Sequence, residues 1–302
     1  MNSGILLVDK PQGMTSHDVV ARIRRLAGTR KVGHAGTLDP MATGLLLIGV
    51  ESSTRLLHHL VGLDKEYLAT VRLGWGTTTD DAEGEALVAA PTDAVAAIAR
   101  EGVVERMAQL TGVIDQVPSA VSAVKVDGKR AYQRVRDGEQ VELASRRVTV
   151  SVFELLASRA GDGCLDLDVR VECSSGTYVR ALARDLGSAL GTAGHLTALR
   201  RSRIGQYSVD EAGELDGFDV AASLIGPAEA ARRSLPVVEV TADEAVDLGH
   251  GKRVTVDEAR LATSDRSVPH AAIAPGDRLI AIVERRGDQL KVVTGFPQRE
   301  QS

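Results

Sequence analysis

The chain has 302 residues, 36 Lys and Arg against 41 Asp and Glu, a net charge of -5, and 43% hydrophobic residues, which is ordinary for a soluble globular protein with one large domain and a small one. No apolar run reaches the roughly 18 residues of a membrane span, since the longest, from Leu45, is stopped by Glu51, and Met1 to Lys10 lacks the basic leader and long apolar segment of an export signal. Two cysteines, Cys164 and Cys173, make neither a disulfide framework nor a metal-type pattern; a cytoplasmic protein is expected, with Cys173 in a core.

In chain order, Ile5 to Val8 reads as a short buried strand ending in the turn Asp9 to Gly13. Thr15 or Ser16 then caps a helix with Val19, Val20, Ile23 and Leu26 at helical spacing, ending by Gly28. A polar loop carrying Asp39 leads into the apolar run Leu45 to Val50, with Gly36 and Gly44 supplying backbone freedom and Pro40 biasing Asp39 away from helical angles. A short helix follows from Thr54 to Val61. Lys65 to Leu73 alternates as a strand, Thr77 to Gly84 is a polar loop, and Thr92 to Leu110 is helical with Val95, Ile98, Val103, Met107 and Leu110 inward. Ala123 to Lys129 carries an Asp-Gly hairpin signal, Ala131 to Val135 a helical turn, and Arg147 to Leu156 a strand. Leu165, Leu167, Val169, Val171 and Cys173 alternate with Asp166, Asp168, Arg170 and Glu172, a half-buried strand. Ser174 to Thr177 break it and cap a helix from Tyr178 to Leu190, in which Val179, Leu182 and Leu186 form the core stripe and Arg180 and Arg184 share another face. After an acidic, Ala-rich passage from Leu215 to Arg233, the short β-type segments Val237–Val240, Val254–Val256, Leu279–Glu284 and Leu290–Val293 suit a small barrel.

The net charge hides its distribution. Lys125 to Arg147 holds seven Lys/Arg against four Asp/Glu, and His195 to Gln206 holds Arg200, Arg201 and Arg203 with no acid. Tyr207 to Asp247 reverses the balance, ten acids against two arginines, which leaves room for a basic face elsewhere. His34, with His17, His58 and His59, has no second ligand at productive spacing, so no metal site is expected.

The thirteen residues His34 to Leu46, His-Ala-Gly-Thr-Leu-Asp-Pro-Met-Ala-Thr-Gly-Leu-Leu, resemble the active-site motif of the TruB family of tRNA pseudouridine-55 synthases. Four further blocks fall in family order: Leu7 to Pro11 with Gly13, Thr15 and Ser16; Lys65-Glu66-Tyr67; Pro118 to Lys125 with Gly128, Lys129 and Tyr132; and Val171 to Arg180, followed by Asp185-Leu186-Gly187, His195 and Leu199 to Arg201. Val121 departs from the pattern, standing where many members carry an aromatic ring.

The resemblance implies an α+β pseudouridine synthase domain over 1–232 with a mixed, largely antiparallel central sheet flanked by helices, and a PUA-like RNA-binding β-barrel over 233–302. It implies isomerisation of uridine to pseudouridine in the T stem-loop of tRNA by a cytoplasmic enzyme, a monomer without protein partner or cofactor. Asp39 is the catalytic aspartate it implies, Arg180 the cation that keeps it ionised, and Tyr67 the ring that stacks on the base and one candidate for taking the C5 proton, a base that the sequence leaves open. His34, Tyr178, Leu199 and Lys10 are the substrate-binding positions, His34 entering the RNA loop to hold the target outside its stack. The chemistry agrees with the residues. Uracil leaves as a delocalised anion, so one carboxylate suffices where glycoside hydrolysis uses two. Two rivals stay open: the same chemistry on another RNA, and a non-catalytic RNA-binding or tRNA-folding protein.

Overall fold

The computed structural model describes residues 2–119, 125–126, 129–130, 143–261, 265 and 267–297. They form two compact units, one of Met1–Pro40, Gly44–Leu63 and Gly205–Ser302, the other of Met41–Thr43 and Asp64–Ile204.

The first unit begins with β1 (Gly4–Lys10), α1 (Ser16–Ala27), β2 (Val32–Ala35) and β3 (Thr43–Val50). β3 runs antiparallel to β1 along its length, Gly4 facing Val50 and Lys10 facing Gly44, and β2 is antiparallel to β3 as well. Thr15 caps α1 through a capping box with Asp18, and Gly28, at φ 61°, closes it in the left-handed region. Val19, Val20, Ile23 and Ala27 pack onto Leu6, Val8, Leu46, Ile48 and Val50. Leu26, expected inward, is 46% exposed; Ala27 takes the buried place one residue on. The helix expected from Thr54 to Val61 is a 3-10 turn, Glu51–Arg55, followed by α2 (Leu57–Leu60).

The second unit contains β4 (Lys65–Leu73), α3 (Thr92–Ala96), α4 (Arg100–Gln109), β5 (Gly112–Gln116), β6 (Lys125–Val126), β7 (Lys129–Arg130), β8 (Arg146–Gly161), β9 (Cys164–Cys173), α5 (Val179–Ala189) and β10 (Gly194–Ile204). Five strands stand in the order β10-β4-β9-β8-β5, every pair antiparallel. The alternation read in β4 and β9 holds: Tyr67, Ala69, Val71 and Leu73 are buried together, as are Leu167, Val169, Val171 and Cys173. The helix expected from Thr92 to Leu110 is two, α3 and α4, because Ala99 is extended at ψ 150°; Val95, Val103 and Met107 are buried while Ile98 and Leu110 are only partly so. β6 and β7 pair as the Asp-Gly hairpin requires, Val126 opposite Lys129. Asp127, Gly128, the helical turn at 131–135, Val121 and Tyr132 lie outside the described residues. The eleven-residue β10 carries Arg200, Arg201 and Arg203 and no regular alternation, so its sequence does not announce a strand.

The first unit resumes with β11 (Tyr207–Ser208), β12 (Gly213–Glu214), which is parallel to β1, and α6 (Pro227–Arg232). β13 (Val237–Glu239), α7 (Ala242–Gly249), β14 (Val254–Thr255), β15 (His270–Ala274), β16 (Arg278–Arg286) and β17 (Gln289–Gly295) complete it. These strands form a sheet ordered β13-β15-β16-β17-β14, with β13 and β15 parallel. Ala245 and Leu248 of α7 pack on it against Val238, Ala272, Ile280, Val283 and Leu290. The expected β-segments are thus strands, and β15 and α7 join them. The architecture is α+β with largely antiparallel sheets.

Candidate active site

Asp39 sits half-buried in the loop from β2 to β3, where Gly36 (φ 85°) and Gly44 (φ 102°) take angles that other residues avoid. The backbone on both sides of it is held from β1, from the turn after β1, and from α1. Before it, Leu38 N donates to Ser16 Oγ at 2.8 Å, and Ser16 Oγ donates to the Leu38 carbonyl at 3.1 Å. After it, the Pro40 carbonyl accepts from Gly13 N at 2.8 Å and from Lys10 Nζ at 3.4 Å. Lys10 is fully buried and donates also to the carbonyls of Met14, at 2.6 Å, and Pro11, at 3.0 Å. An ammonium carries three donors, and here each meets a main-chain oxygen around the Asp39 loop. His34, on β2, stands edge-on to the exposed His17 with ring centroids 5.4 Å apart and planes at 79°.

In the second unit, Arg180 is the second residue of α5 and 4% exposed. A cation in the first helical turn opposes the helix dipole, and burying it adds a desolvation penalty. The acid that compensates is Asp81, with Oδ2 3.2 Å from Arg180 Nη1 and side chains 3% and 5% exposed. Arg180 Nη1 also donates to the Thr79 carbonyl at 2.9 Å. Asp81 Oδ1 accepts from Glu83 N at 3.0 Å and from the Thr79 hydroxyl. One turn along α5, Arg184 meets Asp80 at 3.2 Å, Asp185 at 2.8 Å and the Val117 carbonyl at 2.8 Å. The loop from Thr77 to Gly84, expected only to be polar, therefore supplies an acid to each arginine. Asp185, on the same helix, bonds Arg184, and burial pushes its carboxyl above the ordinary range. Asp81 is the residue that sequence reasoning missed.

Tyr178 is the N-cap of α5, and Arg146 lies over its ring at 5.9 Å. The capping expected from Ser174 to Thr177 is absent, since no side chain caps this helix. Tyr67 is 9% exposed on the buried face of β4, two residues from Lys65 and in register with Arg201 of β10 and Val171 of β9. Burial pushes the Lys65 ammonium down to about 8, and the Arg201 charge adds to this. Leu199 is 8% exposed, in register with Ala69. His195 is buried, and its Nδ1 donates to the Trp75 carbonyl at 2.8 Å; burial holds it below the ordinary histidine value. The run from Arg200 to Arg203 is not an open basic patch: Arg201 is 1% exposed, and Arg203 pairs with Glu172 at 3.0 Å. The geometry thus gathers Asp39, Lys10 and His34 in one unit, and Tyr67, Tyr178, Arg180 and Leu199 in the other.

Known proteins share this sequence along its length. The family described as TruB family pseudouridylate synthase, N terminal domain, matches residues 24–179; tRNA pseudouridylate synthase B C-terminal domain matches 180–231, and tRNA Pseudouridine synthase II, C terminal, matches 235–297. The tRNA pseudouridine synthase B of Leifsonia xyli subsp. xyli is 57% identical over 300 residues, covering 99% of this chain and 98% of that one. The protein of the same name from Arthrobacter sp. (strain FB24) is 52% identical over 309 residues, covering 100% and 99%. Among solved structures, a Cbf5-Nop10-Gar1 complex has a chain 25% identical with a TM-score of 0.73, covering 97% of this chain and 84% of that one. A chain of an H/ACA RNP bound to a substrate RNA is 24% identical with a TM-score of 0.72, covering 98% and 86%, and shares the fold.

Proposed function

The chain belongs to the TruB family of pseudouridylate synthases and isomerises uridine to pseudouridine in tRNA; from that premise we propose that its target is uridine 55 of the T loop and that Asp39 carries the reaction. The N1–C1′ bond breaks, uracil leaves as an anion, turns while held, and C5 bonds to C1′. The proton lost from C5 is balanced by one gained at N1. Asp39 attacks C1′ or assists departure of the base. Arg180 is the cation assigned to Asp39, and Tyr67 stacks on the uracil and takes the C5 proton. His34 enters the RNA loop, because a stacked uridine hides both C1′ and its own faces. Tyr178 and Leu199 border the base; Lys10, expected to bind substrate, is fully buried with its ammonium on main-chain oxygens and acts instead through the loop that it braces.

One observation carries the assignment of Asp39: the backbone before and after it is pinned, by Ser16 of α1 on one side and by Lys10 of β1 and Gly13 of the turn after it on the other. A carboxylate on such a loop starts from a backbone position fixed in advance of substrate. The division at 232 and 233 into catalytic and RNA-binding domains, the cytoplasm as location and a monomer without protein partner belong to the same reading, and the unpaired Cys164 and Cys173 suit that compartment.

The test is incubation with an unmodified tRNA transcript and mapping of pseudouridine. Modification is expected at position 55, and a T-stem-loop fragment is expected to remain a substrate. Asp39→Asn is expected to abolish product while tRNA binding stays within about tenfold, since phosphate contacts persist. Turnover near that of the parent protein sinks the role of Asp39, and product at another uridine sinks the choice of site.

A further inference from the structure

The first turn of α5 lacks the cap that a helix start ordinarily has. Its N-cap residue is Tyr178, which makes no side-chain hydrogen bond to the free N–H groups of that turn. Ser174, the nearest serine upstream with a bond to the sheet, spends its hydroxyl on Thr149 N at 2.9 Å. The stabilisation comes from another element. Gln116, the last residue of β5 and 1% exposed, meets the Tyr178 main chain with both ends of its carboxamide. Tyr178 N donates to Gln116 Oε1 at 2.8 Å, and Gln116 Nε2 donates to the Tyr178 carbonyl at 3.1 Å. A main-chain N–H can only donate and a carbonyl can only accept, so the orientation of the amide follows from the pairing. The Tyr178 carbonyl also accepts the first bond of the helix, from Leu182 N at 3.2 Å. One residue beyond Gln116, the Val117 carbonyl takes Arg184. The end of β5 therefore grips α5 at its start and again one turn in.

A two-point contact fixes both the position and the rotation of the Tyr178 peptide. The Tyr178 ring is attached to that residue, and the Arg180 guanidinium leaves the helix two residues later. We propose that Gln116 is a positioning residue for the pseudouridine synthase reaction, setting the Tyr178 ring and, through the first turn of α5, the Arg180 guanidinium. The inference rests on the roles given to Tyr178 and Arg180 above. Gln116 itself is buried behind the main chain and acts through the two residues whose backbone it fixes.

Three variants test it on the full-length protein. Gln116→Met keeps the length and removes both bonds; Gln116→Glu keeps the acceptor for Tyr178 N but sets a carboxylate oxygen against the Tyr178 carbonyl; Arg180→Met tests the reading beneath. Single-turnover rates, tRNA Kd and thermal melting are measured together. Gln116→Met is expected to lower the rate at least about tenfold, the scale at which sub-ångström misplacement is felt in a catalytic site, with tRNA Kd changed less than about threefold and the protein folded at the assay temperature. Gln116→Glu is expected to be slow at neutral pH and to recover toward the parent rate as pH falls, because a protonated carboxyl regains the donor to the Tyr178 carbonyl. The charged groups on the packed elements are Arg146, in register with Gln116 on β8, Asp115 with Arg147 on the same two strands, Arg180 with Asp81 at the start of α5, and Arg184 with Asp80 and Asp185 beside Val117. They are common to parent and variant, so the ratio of rates isolates position 116.

A parental rate in folded Gln116→Met, or a Gln116→Glu rate ratio that does not move with pH, overturns the inference. So does a rate that falls only in step with the folded fraction. If Arg180→Met is slow while both Gln116 variants match the parent, the inference alone fails; if Arg180→Met is fully active, the underlying reading of Arg180 fails instead.

Discussion

Arg180 stands in the first turn of a helix and is almost wholly buried, two circumstances that each act against a cation. Asp81 offsets both, and its own second oxygen is satisfied by Glu83 N and Thr79, so both oxygens of the Asp81 carboxylate are bonded. Removing one partner of such a pair is more costly than the pair is stabilising, about 3–5 kcal/mol in comparable buried cases. Asp81→Asn is therefore expected to lower the melting temperature by several degrees and the rate at least about tenfold, although Asp81 does no chemistry itself. Calorimetry and single-turnover rates check it; parental values in both show that Arg180 is held by something else. Arg180→Met is expected to lower the rate more than about a hundredfold with tRNA Kd within about tenfold, since binding draws on phosphate contacts elsewhere. A sequence can display Arg180, because a dense block of residues surrounds it. It cannot display Asp81, which lies among Thr77, Thr78, Thr79 and Asp80 in what reads as a solvated loop, about a hundred positions away along the chain.

At the scale of elements, local rules explain where the sequence was readable and where it was not. The cap of α1 was legible because Thr15, Asp18, the apolar spacing and Gly28 all agree. β4 and β9 were legible because one face of each is buried and the other carries charge. β10 was not, because Arg200, Arg201 and Arg203 break its alternation, one of them buried and one paired across the sheet. α7 was also missed, although Thr241 and Glu244 form a capping box, because only Ala245 and Leu248 mark its apolar face. That box gives an acid-dependent stability. Arg260 grips both Glu244 oxygens, at 2.7 and 2.8 Å, and with Thr241 N holds the carboxyl down to about 2. The folded value lies below the unfolded one, so the contribution is complete above the ordinary carboxylate range and is lost as pH falls through it toward 2. Arg260 is a third exposed, so solvent screening limits the effect to about 1–2 kcal/mol. Glu244→Gln is expected to lower the melting temperature at pH 7 and to flatten its decline between pH 5 and about 2.5; an acid limb identical to the parent's removes Glu244 from the account.

For the whole molecule the open question is which surface meets the polyanion, since a net charge of -5 does not answer it. In the second unit, the less buried face of β4, β8, β9 and β10 carries Arg72, Arg159, Arg170 and Arg203 against Glu66, Glu154, Asp166, Asp168 and Glu172. They are joined pair by pair: Arg72 with Asp166 at 2.7 Å, Arg170 with Glu66 at 3.2 Å and Glu154 at 3.0 Å, Arg203 with Glu172 at 3.0 Å, and Arg159 with Asp168. Each arginine there has a carboxylate within reach, and a phosphate would have to displace it while the acids repel the strand. A face so neutralised releases few counterions on binding RNA. The basic stretch from Lys125 to Arg147, by contrast, has more cations than acids, and Arg146 lies over Tyr178. The log–log salt slope of tRNA affinity separates the two surfaces. Arg159→Ala and Arg203→Ala are expected to leave Kd and slope as they are. Gln in place of Lys125, Lys129 and Arg130 together is expected to weaken binding and reduce the slope by about one for each phosphate no longer neutralised. If the slope falls instead with Arg159 and Arg203, the paired face binds RNA after all, and its carboxylates must give up their arginines to do so.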